Sequence, residues 1–182
     1  MVKKLRTATV HFFLYAILMI VTFGCSTKKA IEFTPKKGDH IIILGNTFAE
    51  RLQNFNYFEP LLYKSFPGLE LTFRDMGWSA DEVNLRPRPL NFGTLNEHLS
   101  QQKADIIFAC FGLNEAFKGR DSLENFKNQL ESYLQHLMQQ KYNGHSAPQI
   151  VLVSPIAHEN LGGYLPDPKI HNENLKLYTK GM

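Results

Sequence analysis

Four short apolar runs, separated by stretches of helical spacing, constrain this chain more than any other feature. They are His40–Gly45 (HIIILG), Leu69–Arg74 (LELTFR), Ala104–Gly112 and Gln149–Ser154 (QIVLVS). The first is a short continuous apolar run, as a strand buried on both faces must be, the third is the most apolar of the four, and Leu69–Arg74 alternates. Between the first two runs, Phe48, Leu52, Phe55, Leu62 and Phe66 recur near helical spacing. Pro60 starts a second helical piece there, because proline suits a first turn and not an interior. A polar segment with Pro87 and Pro89 precedes a short helix over Leu95–Lys103. Asp121-Ser122-Leu123-Glu124 reads as a capping box opening a helix whose face is Leu123, Phe126, Leu130, Leu134 and Leu137. A last helix is expected over Asn172–Lys180. Strands alternating with helices imply parallel strands joined by right-handed crossovers, hence a three-layer α/β domain. Such sheets bind ligands beyond the carboxyl ends of their strands. That directs attention to Asn46-Thr47, the segment from Asp75, Gly112–Glu115 and Ser154–His158.

The N-terminus is of a different kind. Residues 1–24 carry Lys3, Lys4 and Arg6, no acidic residue, and an apolar run from Phe12 to Phe23. This is the n-region and h-region of a secretory signal, too short for a spanning helix, which needs about 20 residues. Gly24-Cys25 at its end resembles a bacterial lipoprotein box, which implies cleavage before Cys25 and acylation of that thiol. The expected organisation is a signal over 1–24, a polar tether over 25–38 and one domain over 39–182, placed at the cell envelope through a lipid anchor. The formal charge of the whole chain is +3, but Lys3, Lys4 and Arg6 account for all of it, so the remainder is neutral. A nucleic-acid partner therefore has no support. Two cysteines exclude a disulfide framework. Cys110, inside an apolar strand, reads as a buried and inert thiol.

Three strand ends carry polar residues: Gly45-Asn46-Thr47 after the first, Asp75-Met76-Gly77-Trp78-Ser79-Ala80-Asp81 after the second, and Gly112-Leu113-Asn114-Glu115 after the third. In this order and at these places they resemble the blocks of the SGNH (GDSL-type) hydrolases, over about residues 39–160. Arg86-Pro87-Arg88 and Asn91-Phe92-Gly93 are similar to a subgroup of that family. The resemblance implies a flavodoxin-like sheet and ester hydrolysis through an acyl-enzyme. Thr47 falls where the family has its nucleophilic serine. Ala80 falls on the glycine whose backbone N–H serves the oxyanion hole, and Asn114 on the asparagine whose amide completes it. The residue types suit these roles. A hydroxyl just past a strand can attack a carbonyl carbon, and the oxyanion that forms needs N–H donors already in place. Four positions depart from the pattern: Asn46 for Asp, Thr47 for Ser, Ala80 for Gly and Glu115 for Asp.

The family's last block, Asp-x-x-His, supplies base and acid, and no Asp of this chain has His three residues later. The expectation is therefore of an incomplete domain, with a further strand, helix and base to follow, and of little turnover by the 182 residues alone. His158 follows the fourth strand and reads as a residue of the pocket rim. His171 reads as a solvated residue at a helix start, and Ser79 as a loop-ordering serine. Arg86 and Arg88 are candidates to hold an anionic or sugar group. No metal-ligand spacing, phosphate loop or dinucleotide fingerprint occurs, so no metal or cofactor is expected. The reading is an ester hydrolase acting on a glycan or other envelope ester. The alternative is a non-catalytic module binding a carbohydrate or acyl ligand.

Overall fold

The computed structural model describes residues 33–55 and 57–182, so the expected signal segment and Cys25 lie outside the described residues. Four parallel strands form one sheet: β1 (His40–Gly45), β2 (Thr72–Asp75), β3 (Ile106–Cys110) and β4 (Gln149–Val153), in the order β2-β1-β3-β4. Ile41 pairs with Phe73 on one side and Ile106 on the other, and Ile106 in turn with Gln149. β1 and β3 are central, and β3 is buried throughout, as its unbroken apolar sequence requires.

Helices cover both faces. On one, α1 (Thr47–Phe55) and α2 (Phe58–Ser65) lie over β1 and β2, and Phe58 meets Phe73 and Phe108 edge-on. Pro60 sits in the first turn of α2, where its missing N–H costs nothing. On the other face, α3 (Leu95–Gln101), α4 (Leu123–Met138) and α5 (Lys169–Gly181) bury Leu99, Phe126, Leu130, Leu137, Leu175 and Tyr178 against Ile42, Leu44, Ile107 and Ala109. The period-two alternation of β1 thus sends Ile41 and Ile43 to one layer and Ile42 and Leu44 to the other. The result is a flavodoxin-like three-layer α/β sandwich, with one compact unit spanning Thr34–Met182. Among the described residues no helix is long and apolar enough to cross a membrane.

Local details differ from the sequence-based expectation. The second strand begins at Thr72 and not at Leu69; before it, the Gly38 amide donates to the Leu69 carbonyl and the Thr72 amide to the Asp39 carbonyl. No capping box forms at 121–124: a 3₁₀ turn over Arg120–Ser122 runs directly into α4, and the Ser122 side chain makes no cap. A capping box does open α3, where the Thr94 hydroxyl accepts from the Glu97 amide and the Glu97 carboxylate accepts from the Thr94 amide. The last helix starts at Lys169, three residues before Asn172.

Candidate active site

The chain runs from β1 outward to β2 and then returns to the far side of β1 for β3, so strand order reverses between β1 and β3. In an open parallel sheet this switch point leaves a crevice at the carboxyl ends. Two glycines let the chain approach itself there. Gly45 ends β1 at φ +137°, and a Cβ on it would lie 2.0 Å from the Cys110 carbonyl oxygen. A Cβ on Gly77 would lie 2.4 Å from the Glu50 amide nitrogen. Both positions exclude any side chain, which brings the end of β3 and the loop after β2 against the start of α1. The Trp78 amide then donates to the Gly45 carbonyl at 2.9 Å, and the Ser79 hydroxyl donates to Glu50.

Asn46, the residue between Gly45 and Thr47, is buried, and its Oδ1 accepts the Phe48 amide at 3.0 Å. It therefore caps α1, a task for which asparagine serves as well as aspartate. Thr47 stands at the first position of that helix. It lines a cavity of about 400 Å³ together with Phe48, Leu52, Leu113, Ile156 and His158. Its walls are mainly apolar. Arg51 is the charged residue on the lining.

Ala80 and Asn114 do not line that cavity, but the fold places them next to each other. Ala80 adopts φ 66°, the left-handed region in which glycine carries no penalty and alanine does. Asn114 Nδ2 donates to the carbonyl of Asp81, the residue after Ala80, at 2.9 Å. The loops after β2 and β3 are tied again by Glu115, whose buried carboxylate accepts the Val83 and Gly112 amides, each at 2.9 Å. Burial raises the Glu115 carboxyl above the usual carboxylate range, against the pull of those amides.

The two arginines face elsewhere. Arg88 Nη1 and Nη2 donate to the buried Asp81 carboxylate at 2.8 and 2.6 Å, and its guanidinium lies 4.6 Å from the Trp78 ring centroid. Arg86 lies over the Tyr133 ring at 4.9 Å. Both line a second, larger cavity of about 720 Å³, on which Thr47 and His158 do not stand. The structure thus joins Thr47 with His158, and Arg86 with Arg88, in two separate places.

His171 is not a solvated residue. Its ring stacks on Phe117 with centroids 3.7 Å apart, its Nε2 is buried, and the His158 ring lies 5.0 Å away. Burial and the neighbouring imidazole hold its pKa below 6.5. The next residue, Asn172, clamps the His158 backbone. Its Oδ1 accepts the His158 amide and its Nδ2 donates to the His158 carbonyl, both at 2.8 Å. Sequence reasoning missed this clamp, which spans fourteen residues and leaves no local signal. It also missed Asp81 as the partner of Arg88. The capping role of Asn46 was missed as well, although asparagine directly before a helical run is a signal that could have found it. Among the described residues no group of three His, Cys, Asp or Glu side chains is arranged to hold a metal ion.

No protein-family model matches the chain, and no curated protein matches it. Solved structures do. One is BT4096, a gut microbial diltiazem-metabolizing enzyme, at 17% identity and a TM-score of 0.52 over 82% of this chain. The chain spans 34% of that protein's length. Another is LAE5, an alpha/beta hydrolase enzyme from the metagenome of Lake Arreo, Spain, at 15% identity and a TM-score of 0.51, covering 81% of this chain and 72% of that one. At these identities the likeness establishes the α/β fold.

Proposed function

We propose that the protein is an ester hydrolase of the SGNH type in which Thr47 is the nucleophile. His158, read from the sequence as a rim residue, takes the part of the base expected from a further Asp-x-x-His block, so that these 182 residues turn over where little turnover was expected. The observation that carries this reading is the shared cavity: a hydroxyl at a helix start and an imidazole line one crevice at the switch point of the sheet. His158 is the imidazole on that lining, the side-chain type that most often serves as a general base. Thr47 Oγ1 attacks the ester carbonyl carbon while its proton passes to His158. By the family pattern the oxyanion donors are the Ala80 amide and the second Asn114 amide hydrogen, the first being held by Asp81; neither residue lines this cavity, so the step requires their loops to close on Thr47. The tetrahedral intermediate collapses, the alcohol leaves with the proton from His158, and the acyl group stays on Thr47. Water then attacks, gives a proton to His158, and releases the acid as Thr47 regains its hydrogen.

The apolar lining of Phe48, Leu52, Leu113 and Ile156 suits the acyl portion of an ester. A glycan or other envelope ester is the substrate class we propose, reached from a lipid anchor at Cys25. Labelled palmitate should be incorporated by the wild-type chain and lost in Cys25→Ala. The same apolar lining supports a second reading, in which the crevice binds an acyl ligand and does not cleave it. Hydrolysis of p-nitrophenyl acetate separates the two. Under the first reading Thr47→Val and His158→Ala each abolish turnover. Under the second the wild-type chain has none while still binding a fatty acid.

A further inference from the structure

The loop after β4 presents an apolar surface that the ester-cleaving reading does not use. It leaves at His158 and returns at Asn172, and the two hydrogen bonds between those residues, each 2.8 Å, tie its ends together. A surface segment of this length with joined ends is an Ω-loop. Its own bonds shape it. The Gly162 amide donates to Asn160 Oδ1 at 3.0 Å, the Leu165 amide to the Gly162 carbonyl at 3.3 Å, and the Lys169 amide to Asp167 Oδ1 at 2.9 Å. Gly162 and Gly163 turn the tip at φ 65° and 63°, and a Cβ on either would meet no atom within 4 Å. The tip therefore stands clear of the body of the domain.

From Asn160 to Pro166 the loop carries no charged residue, while Glu159, Asp167 and Lys169 stand at its neck. Leu161 is 67% exposed, Leu165 59%, and Tyr164 fully so. Large apolar side chains scattered singly over a surface are ordinary, but three on one projecting turn form a patch that water disfavours. The patch adjoins the cavity that Thr47 lines. Ile156, Ala157 and His158, which lead into the loop, are on that lining, and Ile156 and Phe55 on it are themselves exposed. An apolar cavity thus opens beside an apolar tip. A protein partner would have to supply a pocket shaped to this convex turn, whereas a lipid surface yields to it. Lipid headgroups would then meet Glu159, Asp167 and Lys169, where charge resumes. Tyr164 suits that boundary, with an apolar ring and a hydroxyl at its end.

We propose that the tip over 160–166 inserts into a lipid surface through Leu161, Tyr164 and Leu165. Docked there, it sets the mouth of the apolar cavity against the lipid, so that an acyl chain passes into the cavity without crossing water. This holds whether or not Thr47 is a nucleophile, because it concerns where the ligand of the cavity comes from. Trp78, the only tryptophan in the chain, lines the other, larger cavity and so serves as an internal reference.

The test adds phosphatidylcholine vesicles to the full chain and to its Tyr164→Trp variant and follows tryptophan emission. Tyr164 is fully exposed, so the substitution leaves the packing of the fold untouched. A blue shift is expected in the variant, with quenching by phospholipids brominated on their acyl chains, and no change in the wild type. Leu161→Asp added to Tyr164→Trp should raise the lipid concentration for half the shift about tenfold, the worth of burying most of one leucine side chain. The proposal is overturned if the Tyr164→Trp emission does not shift, if the wild type shifts equally, or if Leu161→Asp changes nothing. A blue shift that grows with protein concentration before lipid is added would place a second copy of the chain on the tip, and it too overturns the proposal.

Discussion

Ala80 shows how a single backbone angle constrains this site. At φ 66° its Cβ crowds the backbone, and left-handed alanine costs about 1–2 kcal/mol, part of which a glycine repays as extra freedom of the unfolded chain. Ala80→Gly should therefore raise the urea midpoint, by about 0.5–1 kcal/mol in stability, with turnover unchanged or higher. A lowered midpoint would show that the angle is not strained. His171 supplies a second test at this scale. Its folded-state pKa lies below 6.5 through burial and then the charge of His158. Between that pKa and 6.5 the unfolded chain binds more protons than the folded one. Its contribution to stability is therefore complete above pH 6.5 and is lost as pH falls through the folded-state value. Urea midpoints measured across this window should fall with pH in the wild type, and His171→Gln should flatten that fall. An unaltered slope in the variant would assign the dependence to other groups.

At the scale of elements, the helices differ in how their ends are held. α3 has seven residues and a reciprocal cap, so its formation rests heavily on Thr94. Thr94→Ala should cost about 1 kcal/mol, read as a lowered thermal midpoint, whereas Ser122→Ala at the uncapped start of α4 should cost nearly nothing. Equal losses at the two positions would contradict the assignment. The contrast also shows what sequence can reveal. Thr94-x-x-Glu97 and Asp121-Ser122-Leu123-Glu124 look equally plausible as letters, and only the preceding 3₁₀ turn decides against the second. The strands, the break at Pro60 and the face Phe126, Leu130, Leu137 were legible because burial imposes periods of 2 and 3.6 on the sequence. The site was legible only in part. Thr47, Ala80 and Asn114 fall at strand ends as expected. The separation of Arg86 and Arg88 from Thr47 depends on the pairing of Arg88 with Asp81 within one loop and on the long-range contact of Arg86 with Tyr133, neither of which has a local period.

At the scale of the whole molecule, the sheet order brings all of this chemistry to one edge. Glycines at 45 and 77 hold the strand ends close, and Glu115 fastens the loops after β2 and β3. The core beneath is sealed. The Cys110 thiol is 3% exposed and is pushed up to about 12 by burial and then by Asp75. In a Cys25→Ala background, Cys110 should react with a thiol reagent only as fast as the domain unfolds, accelerating with urea. Rapid labelling in the native state would mean that β3 is open to solvent. The same sheet sets Thr47 at a helix start on the cavity that His158 also lines.

The most direct measurement is hydrolysis of p-nitrophenyl acetate by the full chain beside its Thr47→Val variant, which keeps the shape of residue 47 and removes its hydroxyl. The expected result is turnover by the wild type and a loss of at least about a thousandfold in kcat/KM in the variant, with the fold intact. Full activity in Thr47→Val would contradict the assignment of the nucleophile and, with it, the proposed reaction.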